Sequence, residues 1–224
     1  VFANDFDLIL STDGGHQKEW ESIGANHKVL RQGIYDEYAF LGKNCSQYKC
    51  KVCFIGNNIP WYPPRQKLIK NLQMWYGRRF KRWGEDKPVF GEKLNDVIAS
   101  SEIIVGDTVY SPYYWSNRSY EVLGRGGFLI HPYVPGIEEE FIPEKHFIPY
   151  EAGNFEMLKE LIDFYLRRPH IRDKIKKKAF EWTKKHHLLS YRCQRLIKML
   201  KALKLEIFFW KEKIFLIWVL EKGL

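Results

Sequence analysis

The sequence predicts an α/β fold, a Rossmann-like, doubly wound parallel sheet with helices on both faces. Short apolar runs alternate along the chain with longer segments whose apolar residues recur at helical spacing. Turns rich in glycine and asparagine, such as Gly56-Asn57-Asn58, separate the two kinds of segment. Apolar residues make up 45% and charged residues 28% of the 224 positions, so we expect most of the chain to be globular.

Residues 1–48 are interpreted as the end of an N-terminal domain followed by a linker. The predicted elements are a buried parallel strand at 7–12, a turn at 13–15, a helix at 16–24, an extended piece at 28–30 and a polar linker at 42–48. Because the chain starts at Val1 and enters a strand pattern almost at once, we expect it to be a fragment of a longer protein.

Residues 49–189 are predicted to form the doubly wound domain, and residues 190–224 a basic, amphipathic helical tail. The predicted strands lie at 51–55, 79–83, 103–107, 128–132 and 147–150, and the predicted helices at 63–75, 91–100, 155–167 and 170–185, with a short helix ending at 125–127 and a last one starting near 190. Ligands bind beyond the carboxyl ends of strands in such sheets, so the loops after Ile55, Val105 and Ile130 are the candidate sites.

Positive charge is concentrated in one region of the chain. The net charge is +9, yet residues 167–204 alone carry an excess of 12 positive charges, so the remainder is mildly acidic. Such a surface suits lipid headgroups, phosphorylated carriers or nucleic acid, or it is a solvated helical face. Because no known nucleic-acid motif accompanies it, we expect no specific nucleic-acid partner.

The cysteines and the apolar runs indicate neither a metal site nor a membrane span. Cys50 and Cys53 form a lone C-x-x-C in a predicted strand, where positions three apart point to opposite faces and suit one metal poorly. Reduced thiols are typical of a cytosolic protein. In the last segment the longest apolar run, Ile214 to Leu220, is shorter than the roughly 20 residues that a bilayer needs.

The loop after Val105 leads into a helix start that suits an anion. Ser116 and Asn117 stand at the predicted N-cap, where free backbone amides and the helix dipole attract phosphate. Arg118 could add a forked donor to a phosphate or ribose oxygen. The alternative is an ordinary cap with Arg118 in a surface ion pair.

Glu121 shares a helix face with Asn117 and Arg118 and could accept hydrogen bonds from both hydroxyls of a ribose. Its alternative is an ion pair within the helix, to Arg118 or Arg125. Three glycines, at 124, 126 and 127, let the helix end tightly and the next strand approach closely, but they follow a helix and so are not a dinucleotide fingerprint.

Further candidates surround these loops. Arg65 could reach a phosphate from the helix after the first loop. Tyr113, Tyr114 and Trp115 could stack on a sugar or base, or simply pack, and His131 could take part in the site or pack at the strand end. The acidic residues Asp107 and Glu138 to Glu140 are predicted to be solvated or turn residues.

The run YWSNRSYEVLGRGGFLIHPYVPGIEEEF, residues 114–141, resembles the glycosyltransferase family 1-like domain of CgeB-type proteins, which are related to retaining transferases of the two-domain GT-B fold. The resemblance extends to Phe54 to Asn57, to Pro64-Arg65, and to His187 and Arg192, and covers about residues 50–200. It implies that the chain holds the C-terminal, donor-binding domain with a remnant of the N-terminal domain.

The resemblance also implies roles for individual residues. Transferases of this type often hold two glutamates eight positions apart; Glu121 matches the second, which contacts the ribose, whereas Tyr113 stands at the first. Backbone amides at Ser116 and Asn117 match the diphosphate-binding turn, and Gly56 and Asn57 match the glycine-containing loop. At the terminus, the usual His-Thr-Tyr reads His187-Leu188-Leu189, a departure that looks structural.

The function implied is transfer of a sugar from a nucleoside diphosphate donor to an unknown acceptor, by catalytic residues that the sequence does not identify. The alternative is a non-catalytic nucleotide-binding or surface-assembly module of CgeB type. No cofactor and no bound metal are expected, because a helix dipole and basic side chains can offset the charge of a leaving diphosphate. We expect a cytoplasmic location, with an anionic membrane surface or a lipid-linked acceptor as a further partner.

Overall fold

A computed structural model describes residues 6–109 and 111–203. The strands are β1 (Ile9–Ser11), β2 (His27–Val29), β3 (Cys50–Ile55), β4 (Phe80–Trp83), β5 (Ser101–Val105), β6 (Leu129–Pro132) and β7 (Ile148–Tyr150). The helices are α1 (Gln17–Ser22), α2 (Pro63–Tyr76), α3 (Glu92–Ala99), α4 (Arg118–Gly124), α5 (Phe155–Leu166), α6 (Pro169–His186) and α7 (Leu189–Ala202). The predicted elements are thereby confirmed to within a few residues at each end.

The main sheet is wholly parallel and has the strand order β4-β3-β5-β6-β7. From β3 the chain runs outward to β4 and then returns to the other side of β3 to form β5. The topological switch point therefore lies between β3 and β5, where a doubly wound sheet opens a crevice at its carboxyl edge. The predicted α/β class with a parallel, doubly wound sheet is confirmed.

Helices cover both faces of this sheet and create two apolar cores. One core joins α3, α4 and α6 to one face, through Val97, Ile98, Val122, Leu123 and Ala179. The other joins α2, α5 and α6 to the opposite face, through Leu68, Leu72, Leu158, Ile162 and Ile175. Burying one such leucine or isoleucine side chain stabilises the fold by about 1.5–3 kcal/mol. The helical spacing of these residues in the sequence therefore determines which face of each helix packs on the sheet.

The segment that precedes β3, called the N-terminal segment below, contains a small parallel sheet of β1 and β2. The expectation that the first strand is buried is wrong within the described residues, because β1 is only half-buried. The linker that follows β2 is held tightly: Ile34 is fully buried and pairs with Leu188. A Cβ at Gly124 would lie 2.6 Å from Ile34 Cδ1, so glycine here lets the linker pack closely on α4.

Helix α7 packs back on the linker. The Arg192 Nε–H donates to Gln32 O at 2.9 Å, and the Ser190 N–H donates to Asp36 Oδ1 at 3.0 Å. The division at residues 1–48, 49–189 and 190–224 stays a prediction. The apolar patches at 207–210 and 214–220 lie outside the described residues. Within the described ranges, no helix has the length and apolarity to cross a membrane.

The two C-x-x-C thiols do not point to opposite faces. Cys50 and Cys53 are both buried in the core formed with α3 and α4, which corrects the expectation from strand alternation. The Cys53 thiol stabilises the Cys50 thiolate by a hydrogen bond and thereby lowers the pKa of Cys50 to about 7. Cys50 Sγ also lies 3.4 Å from Ser101 Oγ.

Candidate functional site

The crevice between β3 and β5 begins at two glycines that bring backbone segments together. Gly56 follows β3, and Gly84 follows the neighbouring β4. A Cβ at Gly84 would lie 2.4 Å from Gly56 O, and a Cβ at Gly56 would lie 2.5 Å from Arg118 Nη2. Gly84 therefore allows a close approach of backbone to backbone, whereas Gly56 lies beside the Arg118 guanidinium with a φ of 157°.

Arg118 spans the switch point from the first turn of α4. Its Nε–H donates to Ile55 O at 2.5 Å, at the end of β3. Its Nη1–H donates to the Asp107 carbonyl at 3.1 Å and to Asp107 Oδ1 at 2.5 Å, beyond the end of β5. The guanidinium also lies 4.8 Å from the centre of the Phe54 ring. The alternative of a surface ion pair is wrong, because the side chain is only 10% exposed.

Asp107 holds a second arginine in the same crevice. Its Oδ2 accepts from Arg65 Nε–H at 2.6 Å, while Arg65 Nη1–H donates to Asn57 O at 3.2 Å. Burial would raise the pKa of Asp107, but the charges and hydrogen bonds of Arg118 and Arg65 lower it below its ordinary value. The prediction of a solvated aspartate is wrong: Asp107 is 5% exposed.

Two guanidinium groups thus share one carboxylate and leave an excess positive charge at the carboxyl edge. Within residues 6–109 and 111–203, the Nη2 groups of Arg65 and Arg118 make no hydrogen bond. Free, planar donors at a largely buried position are suited to the oxygens of a phosphate or diphosphate. We call Arg65, Asp107 and Arg118 the arginine cluster.

The start of α4 is capped differently from the prediction. The Ser116 Oγ accepts from the Arg118 N–H at 3.2 Å, and its carbonyl accepts from the Ser119 N–H at 3.0 Å. The Asn117 side chain makes no capping hydrogen bond, which corrects its assignment as a capping side chain. The N–H groups of Ser116 and Asn117 have no partner in the described part of the chain.

Glu121 is neither in the core nor free. Its side chain is 25% exposed, and its Oε2 accepts from Arg125 Nε–H at 2.9 Å and from Nη2–H at 2.7 Å. Arg125 is itself buried and donates to Gly91 O at 3.0 Å. The ion pair within the helix is therefore present, but the Glu121 Oε1 makes no hydrogen bond with the described residues. That oxygen remains available to an external hydroxyl.

The tyrosines of the loop before α4 have different surroundings. Tyr113 is 41% exposed and occupies the left-handed region at φ 59°, where its N–H is held by Pro135 O at 2.9 Å. Tyr114 is half-buried. Burial and the neighbouring Asp13 raise the pKa of its hydroxyl, and the charges of Arg65 and Arg118 partly offset this rise. Its hydroxyl thus lies near the arginine cluster.

Trp115 and His131 are buried and offer no open face to a ligand. Trp115 is 4% exposed, donates from Nε1–H to Tyr120 Oη at 3.0 Å, and is covered by the Arg31 guanidinium at 4.2 Å. His131 is fully buried at the strand end, and burial lowers its pKa to about 4. The possible ligand contacts of these two residues are therefore corrected to packing.

Asp13, which the sequence predicts only to lie in a turn, contacts the loop before α4. Its Oδ1 accepts from the Gly15 N–H at 2.7 Å, and its Oδ2 accepts from Ser111 Oγ at 3.4 Å. The Gly14 N–H donates to Tyr113 O at 3.2 Å. A carboxylate from the N-terminal segment therefore faces the loop of Tyr113 and Tyr114. No local sequence pattern could show this, because the two contacting segments are distant along the chain.

Glu140 lies in a turn, as one of the two predicted alternatives, but it is not solvated. It is 7% exposed, and its Oε2 contacts His187 Nδ1 at 2.9 Å, the Arg192 guanidinium and the Tyr120 hydroxyl. Burial would raise the pKa of Glu140, but His187 and Arg192 lower it. This network joins α4 to α7, so His187 and Arg192 hold the end of the domain together. In the described part of the chain, no group of three His, Cys, Asp or Glu side chains could hold a metal.

Comparison with known proteins identifies related sequences and folds. The sequence model of a family described as glycosyl transferase-like matches residues 65–198, more than half of the chain. No curated protein matches the chain.

Solved structures match over most of this chain. Sucrose-phosphate synthase from Thermosynechococcus elongatus has a TM-score of 0.68 at 15% identity, covering 88% of this chain and 58% of that one. Anabaena HepE in complex with UDP-glucose has a TM-score of 0.65 at 14% identity, with 89% and 65% covered. A glycosyltransferase from Rickettsia africae ESF-5 has a TM-score of 0.65 at 11% identity, with 92% and 68% covered. The chain thus spans less than two thirds of the first two structures.

Proposed function

Because the chain belongs to the glycosyl transferase-like family and has the fold of GT-B glycosyltransferases, we propose that it binds a nucleoside diphosphate sugar as the donor for sugar transfer. The observation that carries the proposal is the arginine cluster at the switch point. Structures of HepE from Anabaena in complex with UDP and UDP-glucose support a uridine nucleotide as the first candidate.

The diphosphate is bound by the arginine cluster. The unpaired Nη2 groups of Arg65 and Arg118 donate to phosphate oxygens, and Gly56 and Asn57 bring the backbone close. The open N–H groups of Ser116 and Asn117 add two donors. These groups are fixed before the ligand binds, so stabilising the leaving diphosphate costs little reorganisation. This is the basis for proposing that transfer needs no metal.

Glu121 contacts the ribose. Its Oε2 is anchored by Arg125, which orients the carboxylate, and its Oε1 accepts from a ribose hydroxyl. This charge-assisted hydrogen bond contributes to the affinity for a ribonucleotide, and a nucleotide that lacks the hydroxyl cannot form it.

The transferred sugar, a hexose in this proposal, lies toward Tyr113 and Tyr114. Both tyrosines belong to the loop that Asp13 faces, so we propose that their rings stack on the sugar while the Asp13 carboxylate accepts from its hydroxyls. A CgeB-type relationship, the acceptor and an association with anionic membrane lipid are further parts of the proposal. The basic charge of residues 167–204 supports the last of these.

A second function is a nucleotide-binding module without transfer activity. The observation that favours it is Tyr113, which stands where related transferases often carry a glutamate. Such a module would keep the arginine cluster and bind the donor without releasing the sugar.

Titration calorimetry with UDP, GDP and UDP-glucose tests the proposal on the full chain. We expect binding of at least one nucleoside diphosphate. Replacing Arg65 or Arg118 by Gln is expected to weaken it by about tenfold to a hundredfold, because a hydrogen bond to a charged group contributes about 1.5–3 kcal/mol. Arg78→Gln, an exposed residue after α2, is the matched control and should bind as the wild type does.

No binding of any nucleoside diphosphate or sugar nucleotide by a folded wild-type chain would refute the proposal. Slow release of free sugar from a bound sugar nucleotide would separate an enzyme from the binding module, and its absence with retained binding would favour the module.

A further inference from the structure

A basic depression of about 270 Å³ lies away from the arginine cluster. Its lining is Lys145, His146, Lys178, Glu181, Trp182, Lys185 and His186. His146 precedes β7, so it belongs to the amino edge of the sheet, whereas the arginine cluster lies beyond the carboxyl edge. This place takes no part in the proposed sugar transfer.

Trp182 forms a fixed floor for the depression. Its Nε1–H donates to Glu140 O at 2.8 Å, which sets the plane of the indole. The His146 ring stacks on it with centroids 5.1 Å apart at 24°, and the His186 ring lies at 4.0 Å. The floor is therefore built from three rings of known orientation.

His146 lines this space, and its ring carries a hydrogen-bond donor of known tautomer. Its Nδ1 accepts from the Ile142 N–H at 3.1 Å, so the proton of the neutral ring is on Nε2. The residue is 1% exposed, and burial together with Lys145 and other cations lowers its pKa to about 4, so the ring is neutral at pH 7. Its Nε2–H has no partner within residues 6–109 and 111–203.

The charge around this donor is net positive, with three lysines and one glutamate in the lining. Lys145, Lys178 and Lys185 form no ion pair in the described part of the chain. The one acidic residue of the lining, Glu181, lies 4.0 Å from Lys177, which is outside the depression. Three ammonium groups and a buried N–H donor around one small space are the pattern of an anion site.

We propose that this depression binds a phosphate group, through the Nε2–H of His146 and the ammonium groups of Lys145, Lys178 and Lys185. The indole of Trp182 provides an apolar surface for whatever organic group the phosphate carries. The phosphate belongs either to a soluble phosphorylated compound or to the headgroup of an anionic lipid, because both offer the same oxygens.

Nuclear magnetic resonance of the full chain tests the site locally, because the His146 ring and the Trp182 indole give their own signals. Inorganic phosphate is expected to shift both. The variant with Lys178→Glu and Lys185→Glu should raise the dissociation constant by about tenfold or more. The control carries Lys174→Glu and Lys184→Glu, exposed residues of the same helix outside the lining, and should change it by less than about threefold.

Phosphatidylcholine vesicles with and without phosphatidylglycerol distinguish the two sources. If phosphate and anionic vesicles both shift the His146 and Trp182 signals, the site takes a lipid headgroup. If phosphate alone shifts them, the site takes a soluble phosphorylated compound. The proposal is overturned if neither shifts the two signals, or if the control weakens binding as much as the depression variant. The thermal midpoint of each variant shows whether it remains folded.

Discussion

At the scale of single residues, Asp107 sets the geometry of the candidate site. It is buried beyond β5 and joins Arg65 from α2 to Arg118 from α4, so one carboxylate aligns two guanidinium groups. A buried charge with two partners is expensive to disturb, because removing it leaves both cations without compensation.

Replacing Asp107 by Asn is expected to lower the free energy of unfolding by about 3 kcal/mol at pH 7. The exposed Asp173, which lies 3.9 Å from Lys176, provides a control. Asp173→Asn should change the free energy of unfolding by less than about 0.5 kcal/mol. Urea denaturation measures both, and equal effects of the two variants would contradict the role of Asp107.

The stability contributed by Asp107 is expected to depend on pH. Its pKa is lowered in the folded chain from the ordinary value of 3.8, so the contribution is complete above that pH and is lost as the pH falls through the folded value. The difference in unfolding free energy between wild type and Asp107→Asn should therefore shrink in strong acid. A difference that stays constant from pH 7 to pH 2 would contradict this.

Glu121 is expected to distinguish a ribose from a deoxyribose. The wild type should bind UDP about tenfold more tightly than 2′-deoxy-UDP, because one charge-assisted hydrogen bond is lost, and Glu121→Gln should reduce that preference to about threefold or less. Calorimetric titration of both nucleotides measures it. An unchanged preference in a folded variant would exclude contact with the ribose.

Residue environments that depend on distant partners could not be predicted. The sequence places Arg65 after β3, and Arg118 and Glu121 after β5. It does not show that Asp107 and Glu140 are buried, because their ion-pair partners come from other elements. The burial of Trp115 escapes prediction for the same reason, because the Arg31 that covers it belongs to the N-terminal segment.

At the scale of elements, the boundaries were predictable because helical and strand periodicities differ and because Pro63 marks a helix start and Gly126 a helix end. The face of the sheet on which Cys50 lies was not predictable, because strand alternation fails at the first residue of β3. Helix α7 could be placed near Ser190, but its docking on the linker depends on Arg192, Glu140 and Gln32 together.

Replacing Arg192 by Met is expected to lower the free energy of unfolding by about 3 kcal/mol, because it leaves Glu140 buried with one partner fewer. Arg195→Met, an exposed residue of the same helix, is the control and should have an effect below about 0.5 kcal/mol. Thermal and urea denaturation measure both. If the two variants are equally stable, α7 is not held by this network.

At the scale of the whole molecule, the two edges of the sheet have different chemistry. The carboxyl edge carries the arginine cluster and is approached by Asp13 and Arg31 from the N-terminal segment. The amino edge carries the basic depression around Trp182. The two proposed ligands, the sugar donor and a second phosphate-bearing group, would therefore occupy opposite edges of the sheet and not compete for one site.

The most direct test is a crystal structure of the chain with UDP. We expect the diphosphate within hydrogen-bond distance of Arg65 and Arg118 and the ribose within that distance of Glu121. A nucleotide bound anywhere else, or bound in this crevice with its phosphates turned away from both arginines, would contradict it.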